Sequence, residues 1–158
     1  MNSLVAGTIV FRQYQSKYSN GRLNQNGIVA VQYMCIGHLI LGLSKVLEFR
    51  KHYHYLIPFD LIEVFKDLTN KLSKSHVKEL RNTVFAHVLD RRLKRSKTQL
   101  EVVELLEQLS SKKPTEFLDW LNNENHYEYP STVWSIIKEL RDYLIKGHDV
   151  KKEEGFFR

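Results

Sequence analysis

Residues that interrupt helices are scarce in this 158-residue chain, which holds seven glycines and three prolines. So little punctuation excludes a fold of many short strands joined by tight turns and favours a few long helices. Cysteine is nearly absent. The one present, Cys35, leaves no internal disulfide possible, in keeping with a reducing, cytoplasmic setting. It lies in an apolar run and reads as a small core residue rather than a nucleophile. Long hydrophobic runs are also lacking. The most apolar stretch, residues 34–43 (MCIGHLILGL), falls short of the roughly 20 residues a membrane helix needs. The first ten residues (MNSLVAGTIV) carry neither a basic start nor a sustained apolar stretch, so no secretory signal is read. A soluble protein with no membrane partner is the expectation. No phosphate-binding Gly-rich loop, G-x-S-x-G elbow or zinc-deaminase pattern occurs, and no cofactor is expected.

What is present is ordinary in bulk and uneven in charge. A hydrophobic fraction of 42% and a charged fraction of 27% are those of a globular protein. The length suits one domain with a real core. The formal net charge of +6 suits a polyanionic partner such as RNA, because neutralising phosphates releases their counterions.

The apolar spacing predicts helices along most of the chain. A weak pattern runs to about Lys17, and Ser19-Asn20-Gly21 is a turn signal. From about Asn26 to Tyr53 the chain is apolar on most sides, which places a helix mid-bundle or at a subunit contact. There Gly37 and Gly42 would let another helix approach closely. After Pro58, Asp60 with Glu63 resembles a capping box for a helix to about Leu72. Ser75 is a candidate cap for a fourth helix, with Val77, Leu80, Val84 and Val88 on one face. Residues 100–109 read as helix, Pro114 opens a short helix through Trp120, and residues 131–146 form a final helix ended by Gly147. The expected fold is all-α, an up-and-down bundle of about six to seven helices. It forms one domain over residues 1–150, followed by a charged, flexible tail over 151–158.

One segment carries parts suited to chemistry. Arg81-Asn82-Thr83-Val84-Phe85-Ala86-His87 sets a cation, an amide and an imidazole near the end of an amphipathic helix. Arginine can hold a phosphate with two parallel hydrogen bonds and stabilise charge growing on its oxygens. Histidine exchanges a proton near neutral pH. Such a set can break an RNA phosphodiester without metal, through attack by the ribose 2′-hydroxyl. At about 100° and 1.5 Å per residue, however, Arg81 and His87 stand about 120° apart around a straight helix and about 9 Å apart along it. Either the helix distorts or ends before His87, or a second copy faces the first across a two-fold axis. Next comes a basic run, Arg91-Arg92-Leu93-Lys94-Arg95-Ser96-Lys97, whose Arg91, Arg92, Lys94, Arg95 and Lys97 can track an RNA backbone.

The string LRNTVFAHVLD over residues 80–90 resembles the signature of the HEPN superfamily: an arginine, a polar residue, a short spacer and a histidine within a helical bundle. It is most similar to HEPN proteins of the abortive-infection, AbiU-type group. The resemblance implies an all-helical homodimer with both motifs at a shared cleft, acting as a metal-independent endoribonuclease in bacterial defence or as a toxin with an antitoxin or operon partner. By that resemblance Arg81 binds or polarises the phosphate, His87 transfers protons and Asn82 orients one of them. Leu89 stands where HEPN toxins paired with a nucleotidyltransferase antitoxin commonly carry a tyrosine, so that mode of control is not expected. The alternative is a non-catalytic helical interaction or regulatory module that keeps the HEPN fold.

Other residues invite blander readings. His52-x-His54 lacks an accompanying Cys, Asp or Glu cluster, so a stacked aromatic helix end is favoured over metal, with RNA stacking the lesser option. His38 reads as a hydrogen-bonded core residue, and His76 and His126 as surface residues. Trp120, Trp134 and Tyr143 fit core or dimer contacts.

Overall fold

The computed structural model describes residues 2–75, 77–82, 114–123, 125–126 and 128–147. Helix α1 spans Asn2–Ser19 and ends because Gly21 takes φ +68°, a left-handed conformation that side chains resist. Gly21 N–H then bonds to Tyr18 O and Arg22 N–H to Lys17 O, closing the last carbonyls in a Schellman arrangement. Asn24 starts α2 (Gln25–Tyr53), its side-chain oxygen accepting from the Gly27 N–H at 2.8 Å. With so short a turn the two helices must run antiparallel. Gln15 meets Gln32 near the turn, and Gly7 meets Leu39 and Cys35 farther away.

A 3-10 turn (His54–Leu56) and Pro58 redirect the chain into α3 (Phe59–Lys74). Its buried residues Leu61, Phe65, Leu68 and Leu72 recur at three- and four-residue spacing, the stripe a helix needs to pack one face. A short helix α4 (Val77–Leu80) follows, then α5 (Pro114–Leu121) and α6 (Val133–Gly147). Thr132 and Ser135 cap α6 reciprocally: each backbone N–H donates to the other's hydroxyl at 3.1 Å. Every described element is helical, and the fold is the expected all-α bundle. One core joins Leu39, Ile40 and Leu43 of α2 to Phe65 and Leu72 of α3, Val77 and Leu80 of α4, Leu121 of α5 and Val133 of α6.

Contacts distant in sequence tie the bundle shut. Arg12 on α1 donates to the Asp119 carboxylate at 2.7 Å and to the Asn122 carbonyl at 2.8 Å. The Asn122 amide in turn donates to the buried Thr8 hydroxyl at 3.2 Å.

Several local expectations change. The cap of α3 is Pro58, not Asp60, and Glu63 pairs instead with Lys66, one turn along the same exposed face. Ser75 closes α3, its hydroxyl donating back to Leu72 O at 2.7 Å. His38 is exposed, not a core residue: with Met34, Leu41 and Lys45 it forms the one open stripe of α2, while Cys35, Leu39, Gly42 and Val46 face inward. Gly37 and Gly42 are buried, and at Gly7 a Cβ would lie 2.9 Å from Leu39 Cδ2. Helix α2, Gln25–Tyr53, has the span expected of it. By length and composition alone it could cross a membrane, with a window of mean hydropathy 1.6, yet it buries ten residues within the bundle.

The helix expected over 100–109, His76 and the tail over 151–158 lie outside the described residues.

Candidate functional site

Helix α4 does not stay regular. After Leu80 it widens into a π-type turn at Arg81 and Asn82, a local distortion frequent at functional positions. Leu80 is fully buried and anchors this turn against the core, so the next residue is held at the surface. The Arg81 guanidinium pairs through Nη1 with the Glu48 carboxylate of α2, and its Nε lies 3.4 Å from Asn82 Oδ1. Arg81 and Asn82 are therefore together, with the amide oxygen turned toward the guanidinium. His87, and with it Arg91, Arg92, Lys94, Arg95 and Lys97, lies outside the described residues.

Arg81 and Asn82 form one wall of an open cleft of about 520 Å³ between α2, α3 and α4. Lys78, one turn before Arg81, shares that wall; Glu48 and Lys51 line the α2 side and Ser73 the α3 side. Arg50 crosses between α2 and α3, donating to Lys66 O at 3.3 Å, to Asn70 Oδ1 at 3.1 Å and to the Thr69 hydroxyl. These bonds hold its charge at the floor of the cleft. Ser44 Oγ, also on the lining, is buried with no hydrogen-bond partner among the described residues.

The described lining thus carries four fixed cations, Arg50, Lys51, Lys78 and Arg81, against one carboxylate, Glu48, with His52 beside them. Like charges gathered on a concave wall focus a positive potential that an anion, above all a chain of phosphates, would relieve. The Arg81–Glu48 pair is itself half-exposed, 37% and 53%, so water screens it and it opens at little cost.

Of these residues, Lys78 had a sequence signal, since three positions put it on the face of Arg81. Arg50 and Lys51 stood in view only as flanks of His52-x-His54. Glu48 had no local signal, because it meets Arg81 across 33 positions of chain. The two histidines meet neighbouring tyrosines, His52 with Tyr53 at 6.4 Å and His54 with Tyr55 at 6.1 Å, edge-on rather than stacked as the aromatic reading expected. Among the described residues no group of three or more His, Cys, Asp or Glu is assembled to hold a metal. Cys35 is buried away from the cleft, and burial pushes its thiol pKa up.

No protein-family model matches the chain, and no curated protein matches it either. The chain is similar in structure to the integron cassette protein Vpc_cass2 from the mobile metagenome of V. paracholerae, with a TM-score of 0.76 and 22% identity over 89% of this chain and 86% of that one. At that identity the likeness speaks for the fold, an all-α bundle shared along nearly the whole length.

Proposed function

We propose that the protein is a HEPN-type, metal-independent endoribonuclease, acting as a cytoplasmic homodimer in a bacterial defence or toxin–antitoxin system. The observation that carries this reading is the cationic cleft that opens at Arg81 and Asn82. There a half-exposed guanidinium stands beside Lys78, Lys51 and Arg50, with Glu48 the one carboxylate on the described lining.

In this reading a scissile phosphate replaces the Glu48 carboxylate at Arg81. The ribose 2′-oxygen attacks phosphorus, the 5′-oxygen leaves, and the products are a 2′,3′-cyclic phosphate and a 5′-hydroxyl. One histidine takes the 2′-hydroxyl proton and another gives a proton to the 5′-oxygen, roles assigned to His87 of the two copies. Arg81 stabilises the charge that builds on the phosphoryl oxygens, and Asn82 steadies Arg81. Arg91, Arg92, Lys94, Arg95 and Lys97 extend the contact along the RNA backbone.

Incubating a mixed RNA substrate with purified protein in EDTA tests this directly. Wild type should release fragments ending in 2′,3′-cyclic phosphates, and Arg81→Ala and His87→Ala should each lower the rate at least a hundredfold. RNA left intact by wild type, folded and dimeric, would sink the proposal.

The exposed apolar residues of α2, Met34 at 64% and Tyr33 at 45%, favour a second reading, a helical module that binds a protein partner and does no chemistry. Toxicity on expression that survives His87→Ala but is lost with Met34→Lys would select it.

A further inference from the structure

The cleft does not end at its cations. Along α3, Ser73 and Thr69 on the lining continue at helical spacing through Lys66 and Ile62 to Phe59. Along α2, Glu48 and Lys51 continue in the same way to Tyr55, in the 3-10 turn just past the helix end. Only residues 54–58 join the two helices, and with so short a connection α3 packs back antiparallel to α2, Phe49 against Phe65 and Arg50 against Thr69 and Asn70. Both lines therefore arrive at the same end of the α2–α3 pair. The path from Ser73 to Phe59 covers about 21 Å at 1.5 Å per residue.

At that end, apolar rings stand in water. Phe59 is 88% exposed and Tyr55 70%. A phenylalanine so open contributes almost nothing to the core and is the kind of exposure that marks a contact surface. Beside it stand two imidazoles, His52 on the last turn of α2 and His54 in the 3-10 turn, and the His54 ring meets the Tyr55 ring edge-on at 83°. Cations leading to exposed aromatic faces are the parts of a single-strand site: the charges hold the backbone and the rings stack on unpaired bases. A duplex has no bases free to stack, and its grooves offer rings such as these no purchase.

We propose that Tyr55 and Phe59 form a base-stacking platform continuous with the cationic cleft, and that the ligand of the cleft is single-stranded RNA. The strand lies along α2 and α3, phosphates against Arg81, Lys78 and Lys51, and bases splayed onto Phe59 and Tyr55. This rests on the ribonuclease reading for the identity of the ligand, but it concerns binding and not cleavage.

The test uses a fluorescent 2′-O-methyl RNA 12-mer, which cannot undergo 2′-hydroxyl attack, as a single strand and annealed to its complement. Anisotropy with the full chain should show the single strand bound at least tenfold more tightly than the duplex. Tyr55→Ala and Phe59→Ala should each weaken single-strand binding about tenfold, with Tyr55→Trp restoring it and duplex binding unchanged. Equal binding of strand and duplex, or alanine variants that bind like wild type, would overturn the platform. So would alanine variants that bind RNA normally but lose self-association in light scattering, since the rings would then serve a second copy. Cleavage of unmodified RNA, followed in parallel, separates the two proposals. Intact RNA with the binding pattern present removes the nuclease and leaves the platform, whereas normal cleavage without the pattern does the reverse.

Discussion

Two side chains show how single residues set the behaviour of this protein. Glu48 is the only carboxylate on the described cleft lining, and it faces Arg81. Glu48→Gln keeps the shape and removes the charge, so an RNA strand no longer has to displace an anion. Binding of an uncleavable strand should tighten about two- to tenfold, with a steeper salt dependence, while the denaturation midpoint moves little because the pair is exposed. Weaker binding in anisotropy would mean instead that Glu48 holds Arg81 in the posture the ligand needs. Gly7 acts by having no side chain. An alanine there gains helix propensity of about 1 kcal/mol, but its Cβ would press on Leu39, which is 1% exposed and has nowhere to go. Overpacking should win, and Gly7→Ala should lose about 1–2 kcal/mol in urea denaturation. A stabilised variant would show that the α1–α2 contact has slack.

Among the elements, α6 depends on its start. Thr132 and Ser135 are both buried, so the hydrogen bonds they exchange are shielded from water. Thr132→Ala leaves the Ser135 N–H unpaired there and should cost about 1–2 kcal/mol by urea denaturation, whereas Ser131→Ala, one residue outside the box, should cost under about 0.5 kcal/mol. The sequence made α1, α2, α3, α5 and α6 legible because each repeats its apolar residues at helical period between Gly, Pro or Asn signals. Their ends were less legible. Asp60 and Glu63 have the spacing of a capping box, but the chain enters α3 two residues earlier through Pro58. His38 sits in an apolar run and reads as core, yet a helix apolar on most sides still leaves one stripe open. The site divided in the same way. Arg81-Asn82 is a local string that a short window contains, whereas Glu48 and Arg50 join it through packing of α2 on α3 and α4, which no short window contains.

For the whole molecule, one core couples the cleft to the rest of the bundle. Phe65 is 1% exposed and touches Phe49, while Thr69, one turn on, holds Arg50 at the cleft floor. Phe65→Ala should therefore lower global stability by about 3–5 kcal/mol and loosen the cleft with it. Calorimetry would show a lower Tm, and binding of the uncleavable strand would weaken although no cleft residue has changed. An unaltered Tm would mean that α3 is not held by this core.

The contacts of Arg12 and Thr8 with Asp119 and Asn122 close loops of 107 to 114 residues. Loop closure over such a span is entropically slow, and little rewards it until both ends are present. On the ribosome, the hairpin of α1 and α2 can form as soon as it emerges, but the flank of α1 that α5 will cover must wait until synthesis has passed Asn122. During that interval Thr8 and its neighbours on that flank stay open to other nascent chains, so translation speed as well as stability bears on how much of the protein reaches its native form.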